Sequence, residues 1–536
     1  MITSLLCCLL AAAAPPVSVI FYNAHVFRGG TAIAVSDGEI VAVGDQASVL
    51  NQKQAGTQLV DLHGAFVMPG FNDAHVHLAG AGFTRLEVDL TGVDSLAEML
   101  RRIRVASAAA PPGQWILGEG WDHLLWQSKT LPARQDLDAV TLGHPAIFGR
   151  IDGHIAVANT AAFAAAGVTE DTPNPQGGAF DHDPNGKLSG IVRELPALEM
   201  IRKHIPPPTP EMRKKALLLA LQDAAAHGVT SVQDFSDWDD FLTLERLERE
   251  NELPIRVSEW LHFDDPVETL VAHRAAHPAS DRMLRTGMLK GFMDGSLGSH
   301  TAAMLAPYAD DPGNSGLPRY QQATLDAMAK ERSALGFQIG LHAIGDRGVE
   351  MALNAFAATG STDHRNRIEH SQVVAPQDIA RYKQLGVIAS MQPSHLLTDM
   401  QWAKARLGPE RARYSYAWKD FLDAGVPLAF GTDYPVEPIN PLRGVYAGVT
   451  RANETGTATY FAENKLTIQQ VISAYTEGSA YAEFSEKWKG KIAPGYVADF
   501  VVLDHNITQI PPALLLKTRV LRTVVGGKTV YLAPIP

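Results

Sequence analysis

Pro69-Gly70-Phe71-Asn72-Asp73-Ala74-His75-Val76-His77 is the stretch on which the reading of the whole chain turns. The apolar residues 65–68 run into it, and its two histidines are separated by one residue. In extended chain, residues i and i+2 share a face. His75 and His77 can therefore aim both imidazoles at one cation, and neutral imidazole is a favoured ligand of zinc and its neighbours. Among 19 histidines a single such pair carries little weight. Its weight comes from what other segments end in.

Phe337-Gln338-Ile339-Gly340-Leu341-His342 and Arg367-Ile368-Glu369-His370 each close a predicted strand on a histidine, and Leu428-Ala429-Phe430-Gly431-Thr432-Asp433 closes one on a carboxylate. Met288-Leu289-Lys290-Gly291-Phe292-Met293-Asp294-Gly295 sets a lysine among apolar residues. Across this region β-rich segments alternate with longer helical patterns, the signature of parallel βαβ units. Strands are predicted at 65–74, 229–234, 255–261, 288–293, 338–341, 367–369, 386–391 and 427–431, which makes eight. That number fits a (β/α)8 barrel, in which the carboxyl ends of all strands meet on one face and bring distant residues together.

The flanks have another character. Ile33-Ala34-Val35-Ser36-Asp37-Gly38-Glu39-Ile40-Val41 alternates apolar and polar residues around a turn, as do 495–504 and 524–531. Both termini, 17–66 and 485–536, are expected to form one small β-sandwich domain around a barrel at 67–484. The stretch from about 80 to 226 is too long for one βα connection and reads as a subdomain inserted after the first barrel strand. It holds Trp121-Asp122 and Arg150-Ile151-Asp152-Gly153-His154, and an insertion there would cap the strand ends.

Composition narrows the function. Of 536 residues, 46% are hydrophobic and 19% charged, as in a globular enzyme. A net charge of −12 and a pI of 5.9 give no reason to approach nucleic acid or an anionic membrane, so small-molecule substrates are expected. The two cysteines, Cys7 and Cys8, lie in an apolar run from Ile2 to Ala14 of signal-peptide length, too short to span a bilayer, with no Lys or Arg before it. Residues 1–16 are read as a signal peptide, which implies export to a periplasm or the medium. Without it the protein would be cytoplasmic. A processed chain has no thiol, so a transition metal would be held by His, Asp, Glu or Lys.

Together these segments resemble the amidohydrolase superfamily. The Lys290-Gly291-Phe292-Met293-Asp294-Gly295-Ser296-Leu297-Gly298-Ser299 run, followed by Thr301-Ala302-Ala303, resembles amidohydrolase family 3, with N-substituted formamide deformylases as a precedent. The resemblance implies one or two divalent metals, zinc foremost, on His75, His77, His342, His370 and Asp433. It also implies a carboxylated Lys290 as a bridge. The residues alone leave Lys290 open to two other roles: a buried cation paired with Asp294, or a holder of a substrate anion.

The chemistry expected of such a set is hydrolysis of a C–N bond by metal-activated hydroxide, with Asp433 passing a proton to the leaving nitrogen. Trp121, Asp152, His154, His300 and Arg319 are candidate substrate contacts, with Asp122, Arg150, Asp346 and Gln392 as further polar residues of the pocket. Asp73 is expected to orient ligands rather than bind metal. For His63, His227, His262, His273 and His277, core or surface roles suffice. Ester or phosphoester hydrolysis, deamination, or metal or ligand binding without turnover would use the same residues. By analogy with other barrels, pairing into a homodimer is expected.

Overall fold

The computed structural model describes residues 16–151 and 154–534, so the run read as a signal peptide, up to residue 15, lies outside the described residues. The termini build one mixed sheet of seven strands. In spatial order these are Lys528–Leu532, Val520–Val525, Phe500–Leu503, Gln58–Pro69, Val19–Val26, Ala32–Ser36 and Glu39–Gly44. The sheet curls until its turns meet, with Ala498 N donating to Gly38 O at 2.8 Å and Gly527 N to Ala498 O at 3.0 Å. Alternate apolar side chains, Phe21, Ile33, Val67, Phe500 and Val524 among them, fill one face.

A parallel eight-stranded sheet follows: Phe71–Val76, Val229–Asp234, Arg256–His262, Leu284–Phe292, Ile339–Ala343, Arg367–His370, Ile388–Met391 and Leu428–Phe430, numbered here as first to eighth barrel strands. The expected (β/α)8 barrel is borne out. The sheet closes where Val76 bridges Tyr434 in parallel, with His77 N donating to Tyr434 O and Asp433 N to His75 O, each 2.8 Å. Register does the rest, because Lys290 lies opposite His262, His342 opposite Phe292, and His370 opposite Ala343, all at carboxyl ends. Helices between the strands stop cleanly. One, Pro376–Leu385, starts on a proline and ends at Gly386, whose φ of 65° is left-handed and suits a residue without Cβ.

Ala79–Ala220 is a compact unit by itself. It carries a six-stranded sheet ordered Ala179–His182, Leu188–Arg193, Ile155–Ala158, Ala146–Arg150, Ile116–Trp121 and Val88–Asp89. Separate apolar clusters cover its faces, one around Trp121, Trp126 and Phe148, the other around Phe163, Phe180 and Val192. Among the described residues no helix is long and apolar enough to cross a membrane.

The largest difference in strand boundaries from the sequence reading is at the first barrel strand. Residues 65–68 belong to the terminal sheet, pairing with Phe500–Leu503, and the barrel begins only at Phe71. Gly70 separates the two: its N donates to Asp499 O, and a Cβ there would stand 2.2 Å from Thr230 Cγ2. The chain can pass from sheet to barrel only with the backbone pressed against Thr230. Gly70→Ala is therefore expected to destabilise the fold by about 1–3 kcal/mol, the usual cost of overpacking. Thermal and urea unfolding would detect it, and an unchanged midpoint would mean that Thr230 yields freely.

Candidate metal centre

Each candidate ligand lies within three residues of the carboxyl end of a barrel strand, and the histidines each have a neighbour that fixes their orientation. His75 is fully buried, and its Nδ1 lies 2.7 Å from Glu369 Oε2. Glu369 in turn accepts two hydrogen bonds from Arg367, which also donates to Ala74 O and Ser390. Burial alone would raise the Glu369 pKa, but Arg367 and His75 hold it down at about 2, so the carboxylate is charged and the facing Nδ1 must carry the proton. The lone pair of His75 then sits on Nε2.

The same logic fixes three other rings. His77 Nδ1 donates to Phe235 O at 3.0 Å, and His370 Nδ1 to Gln392 Oε1 at 2.8 Å, which leaves both Nε2 atoms as lone-pair donors. His342 is turned the other way, with Nε2 donating to Gly295 O at 3.0 Å and Nδ1 left free to ligate. Burial keeps three of the four rings neutral, pushing His75 down to about 4, His342 to about 3 and His370 well below its usual range.

Asp433 stands among them. Its Oδ1 lies 3.2 Å from His77 Nε2 and 3.5 Å from His75 Nε2, while its Oδ2 lies 4.0 Å from His370 and 3.5 Å from His395 Nε2. Burial opposes its charge, and it takes positive charge or a donated N–H at His75, His77 and His370 to hold it well below the usual carboxylate range. With the rings neutral, Oδ1 faces the Nε2 lone pairs of His75 and His77, a repulsive arrangement for an ionised carboxylate unless positive charge lies between. Asp433 Oδ1 and His395 Nε2 are both buried without a hydrogen-bond partner, and mixed nitrogen and oxygen donors suit a divalent transition ion. Two groupings can hold one: His75, His77 and Asp433, and His370, His395 and Asp433.

Lys290 is inside the cluster. Its Nζ donates to His75 Nε2 at 3.1 Å and lies 4.8 Å from the centre of the Phe292 ring. Burial lowers its pKa to about 8. Asp294 is not its partner, because that carboxylate accepts from Ala303, Ile344 and Gly345 backbone amides. Burial raises Asp294 to about 7, and likewise Asp73, which accepts from Thr432 N, Thr432 Oγ1 and His75 N and so ties the first strand to the eighth. His370 (φ 71°) and Asp433 (φ 62°) both adopt left-handed backbone, a conformation of order 1–3 kcal/mol in cost that surrounding structure must impose.

The cluster floors a cavity of about 460 Å3. Phe292, Leu297, Ile344, Trp402 and Val436 supply apolar walls, and Gln372, His395, Thr398, Asp399 and Glu437 add polar groups. Sequence reasoning missed His395, which opens the short helix His395–Asp399 after the turn Pro393-Ser394, with no strand alternation to mark it. Of the expected substrate contacts, His300 and Arg319 are not among the residues that line this cavity. His300 Nε2 pairs with Asp310 at 3.0 Å, and Arg319 lies over the Phe292 ring at 5.3 Å. Trp121 is fully buried in the core of its own unit, its indole donating to Phe148 O. In that unit His154 Nδ1 meets Glu194 at 2.9 Å and Arg150 meets Asp122 at 2.8 Å, while Asp152 lies outside the described residues. Asp346 caps backbone amides of Leu305 and Arg347.

The model of the amidohydrolase family matches residues 58–531, nearly the whole chain. This chain belongs to the amidohydrolase family. As an amidohydrolase it is a metal-dependent hydrolase, in keeping with the resemblance read from its motifs. YtcJ of Bacillus subtilis (strain 168), whose name places it among the amidohydrolases, is 32% identical over 93% of this chain and 96% of its own length. An N-substituted formamide deformylase of Arthrobacter pascens is 26% identical over 93% of this chain and 94% of its own. Among solved structures, a metal-dependent hydrolase from Pyrococcus horikoshii OT3 superposes with a TM-score of 0.78 at 30% identity, covering 92% of this chain and 99% of that one.

The buried neutral histidines give this amidohydrolase a defined acid sensitivity. Unfolded histidines take up protons below about 6.5, whereas folded His75 resists until about 4. The unfolded chain binds more protons in that window, so stability of the metal-free protein is expected to fall as pH drops from about 6.5 to about 4. Urea unfolding at several pH values checks this, and His75→Gln should flatten the slope.

Proposed function

We propose that the protein hydrolyses a carbon–nitrogen bond of a small amide, N-acyl, N-formyl or cyclic amide compound, with Asp433 as proton carrier. The observation that carries this reading is Asp433 itself, ionised at the floor of the cavity with each carboxylate oxygen turned to a different pair of histidines. Residues to hold the ion are His75, His77, His342, His370 and Asp433, with His395 added and zinc the favoured metal. A divalent cation in such a set supplies Lewis acidity toward a carbonyl and lowers the pKa of its water from 15.7 to about 7.

The chain's own groups do the rest. Asp433 accepts a proton from the attacking water and returns it to the leaving nitrogen, which an amine needs in order to depart. Glu369 and Gln392 keep the His75 and His370 lone pairs pointed inward. The apolar walls around Phe292, Ile344 and Trp402 seat an apolar acyl or N-substituent and keep bulk water from the reacting atoms. The name of the Arthrobacter relative, a deformylase of N-substituted formamides, supports the same bond type.

Lys290 has a second part in the proposal. A pKa near 8 leaves a share of it as free amine at neutral pH, the form able to take up carbon dioxide as a carbamate. A carbamate there would bridge two ions, whereas the free amine leaves room for one. Export is proposed as well, on the apolar run at residues 2–14.

Asp433→Asn is expected to keep substantial metal and lose turnover by roughly 100-fold to 10,000-fold, the usual worth of a general acid–base. Elemental analysis beside a panel of amides and N-formyl amines checks both arms. Undiminished turnover would remove Asp433 from the chemistry, and products of ester cleavage or ring deamination would redirect the reading.

A further inference from the structure

On the amino-terminal side of the barrel, the loop entering the fourth strand begins with His277, directly after the helix Val267–Ala276. The His277 side chain is 8% exposed and packs edge-on against Phe241, with ring centres 5.4 Å apart. Its Nδ1 lies 2.8 Å from Glu245 Oε1 on the helix Trp238–Arg249. A carboxylate on Nδ1 fixes the proton there and turns the Nε2 lone pair outward, as behind metal-binding histidines. That Nε2 is buried and has no hydrogen-bond partner.

Two carboxylates converge on the same atom. Glu248 stands one turn beyond Glu245 on its helix, so both reach the same side. Asp281 uses Oδ1 to accept from the backbone amides of Met283 and Leu284, which leaves Oδ2 turned to His277 Nε2 at 3.7 Å. One atom from each of His277, Glu248 and Asp281 lies within 4.8 Å of the others. Among the described residues, neither Glu248 nor Asp281 has a lysine or arginine in an ion pair. Burial, and then the Asp281 charge, raise the Glu248 pKa, as expected of carboxylates crowded together, with His277 partly opposing the shift.

We propose that His277, Glu248 and Asp281 form a second divalent-cation site, for zinc or a similar first-row ion, apart from the cavity. One nitrogen and two carboxylates suit such an ion, and the partly exposed carboxylates leave positions for water. The site clamps the helix Trp238–Arg249 to the loop before the fourth strand, a structural role independent of the chemistry of the cavity.

The test is zinc stoichiometry of the full chain by equilibrium dialysis and elemental analysis, for wild type and for Glu248→Gln/Asp281→Asn. Both changes remove charge while keeping shape, and circular dichroism checks the fold. The same pair of changes is repeated in a His75→Ala/His77→Ala background, so that loss at the cavity is counted separately. The expected result is one zinc equivalent lost in each background, with turnover of the otherwise wild-type chain unchanged. In zinc-soaked crystals an anomalous peak beside His277 Nε2 is expected. Equal stoichiometry with and without the substitutions, or zinc bound only at adventitious surface positions, would overturn the site.

Discussion

The backbone hydrogen bonds that join the first and eighth barrel strands run between the candidate ligands themselves. Asp433 N donates to His75 O, and His77 N donates to Tyr434 O. Closing the barrel and setting the distance between Asp433 and the two histidines are thus one event. Because side chains alternate along a strand, a slip of one residue at this seam would turn the histidines to the opposite face. Two features hold the register. Asp73 takes two hydrogen bonds from Thr432 across the seam and a third from His75 N in its own strand, and Gly431 lets the eighth strand press so close that a Cβ would stand 2.6 Å from His75 N.

Everything above the seam is orientation. Imidazole can present either nitrogen, and only a committed acceptor on one of them makes the other a dependable lone pair. The acceptors here differ in kind: a charged carboxylate on His75, a main-chain carbonyl on His77 and His342, and an amide oxygen on His370. Arg367 extends this support inward, since it charges Glu369 and anchors it to Ala74 O and Ser390. Arg367 and Glu369 are as fully buried as His75, and rotation of that ring would leave a buried acceptor unpaired, at roughly 1–3 kcal/mol.

Much of this was legible in the sequence because barrels convert strand ends into one place. His75, His77, Lys290, His342, His370 and Asp433 each close an apolar run, so the residue pattern and the topology carry the same information. His395 escaped because it opens a helix of only five residues, too short to show a period. Residues 65–68 were assigned to the barrel because an apolar strand looks the same in either sheet; only the close approach at Gly70 divides them. Trp121, read as a candidate substrate contact, has its indole donating to Phe148 O inside the core of its own unit, which no sequence motif marks. His277 carried no motif at all, since its companions come from a helix about thirty residues earlier and a turn after it.

Charge balance at the centre couples Lys290 to the ion. Without metal the ionised groups in contact are Lys290 and Arg367 against Glu369 and Asp433, two of each sign. A divalent cation added there leaves two positive charges in excess, and uncompensated charge in a buried site is costly. Arg367 cannot surrender its proton, whereas Lys290 is already lowered to about 8 by burial. Its ammonium also holds the His75 Nε2 lone pair that an ion would need. Protonated Lys290 and the metal therefore compete twice, for charge and for the same nitrogen, so that entry of the ion expels a proton from Lys290 and binding strengthens as pH rises toward and past about 8.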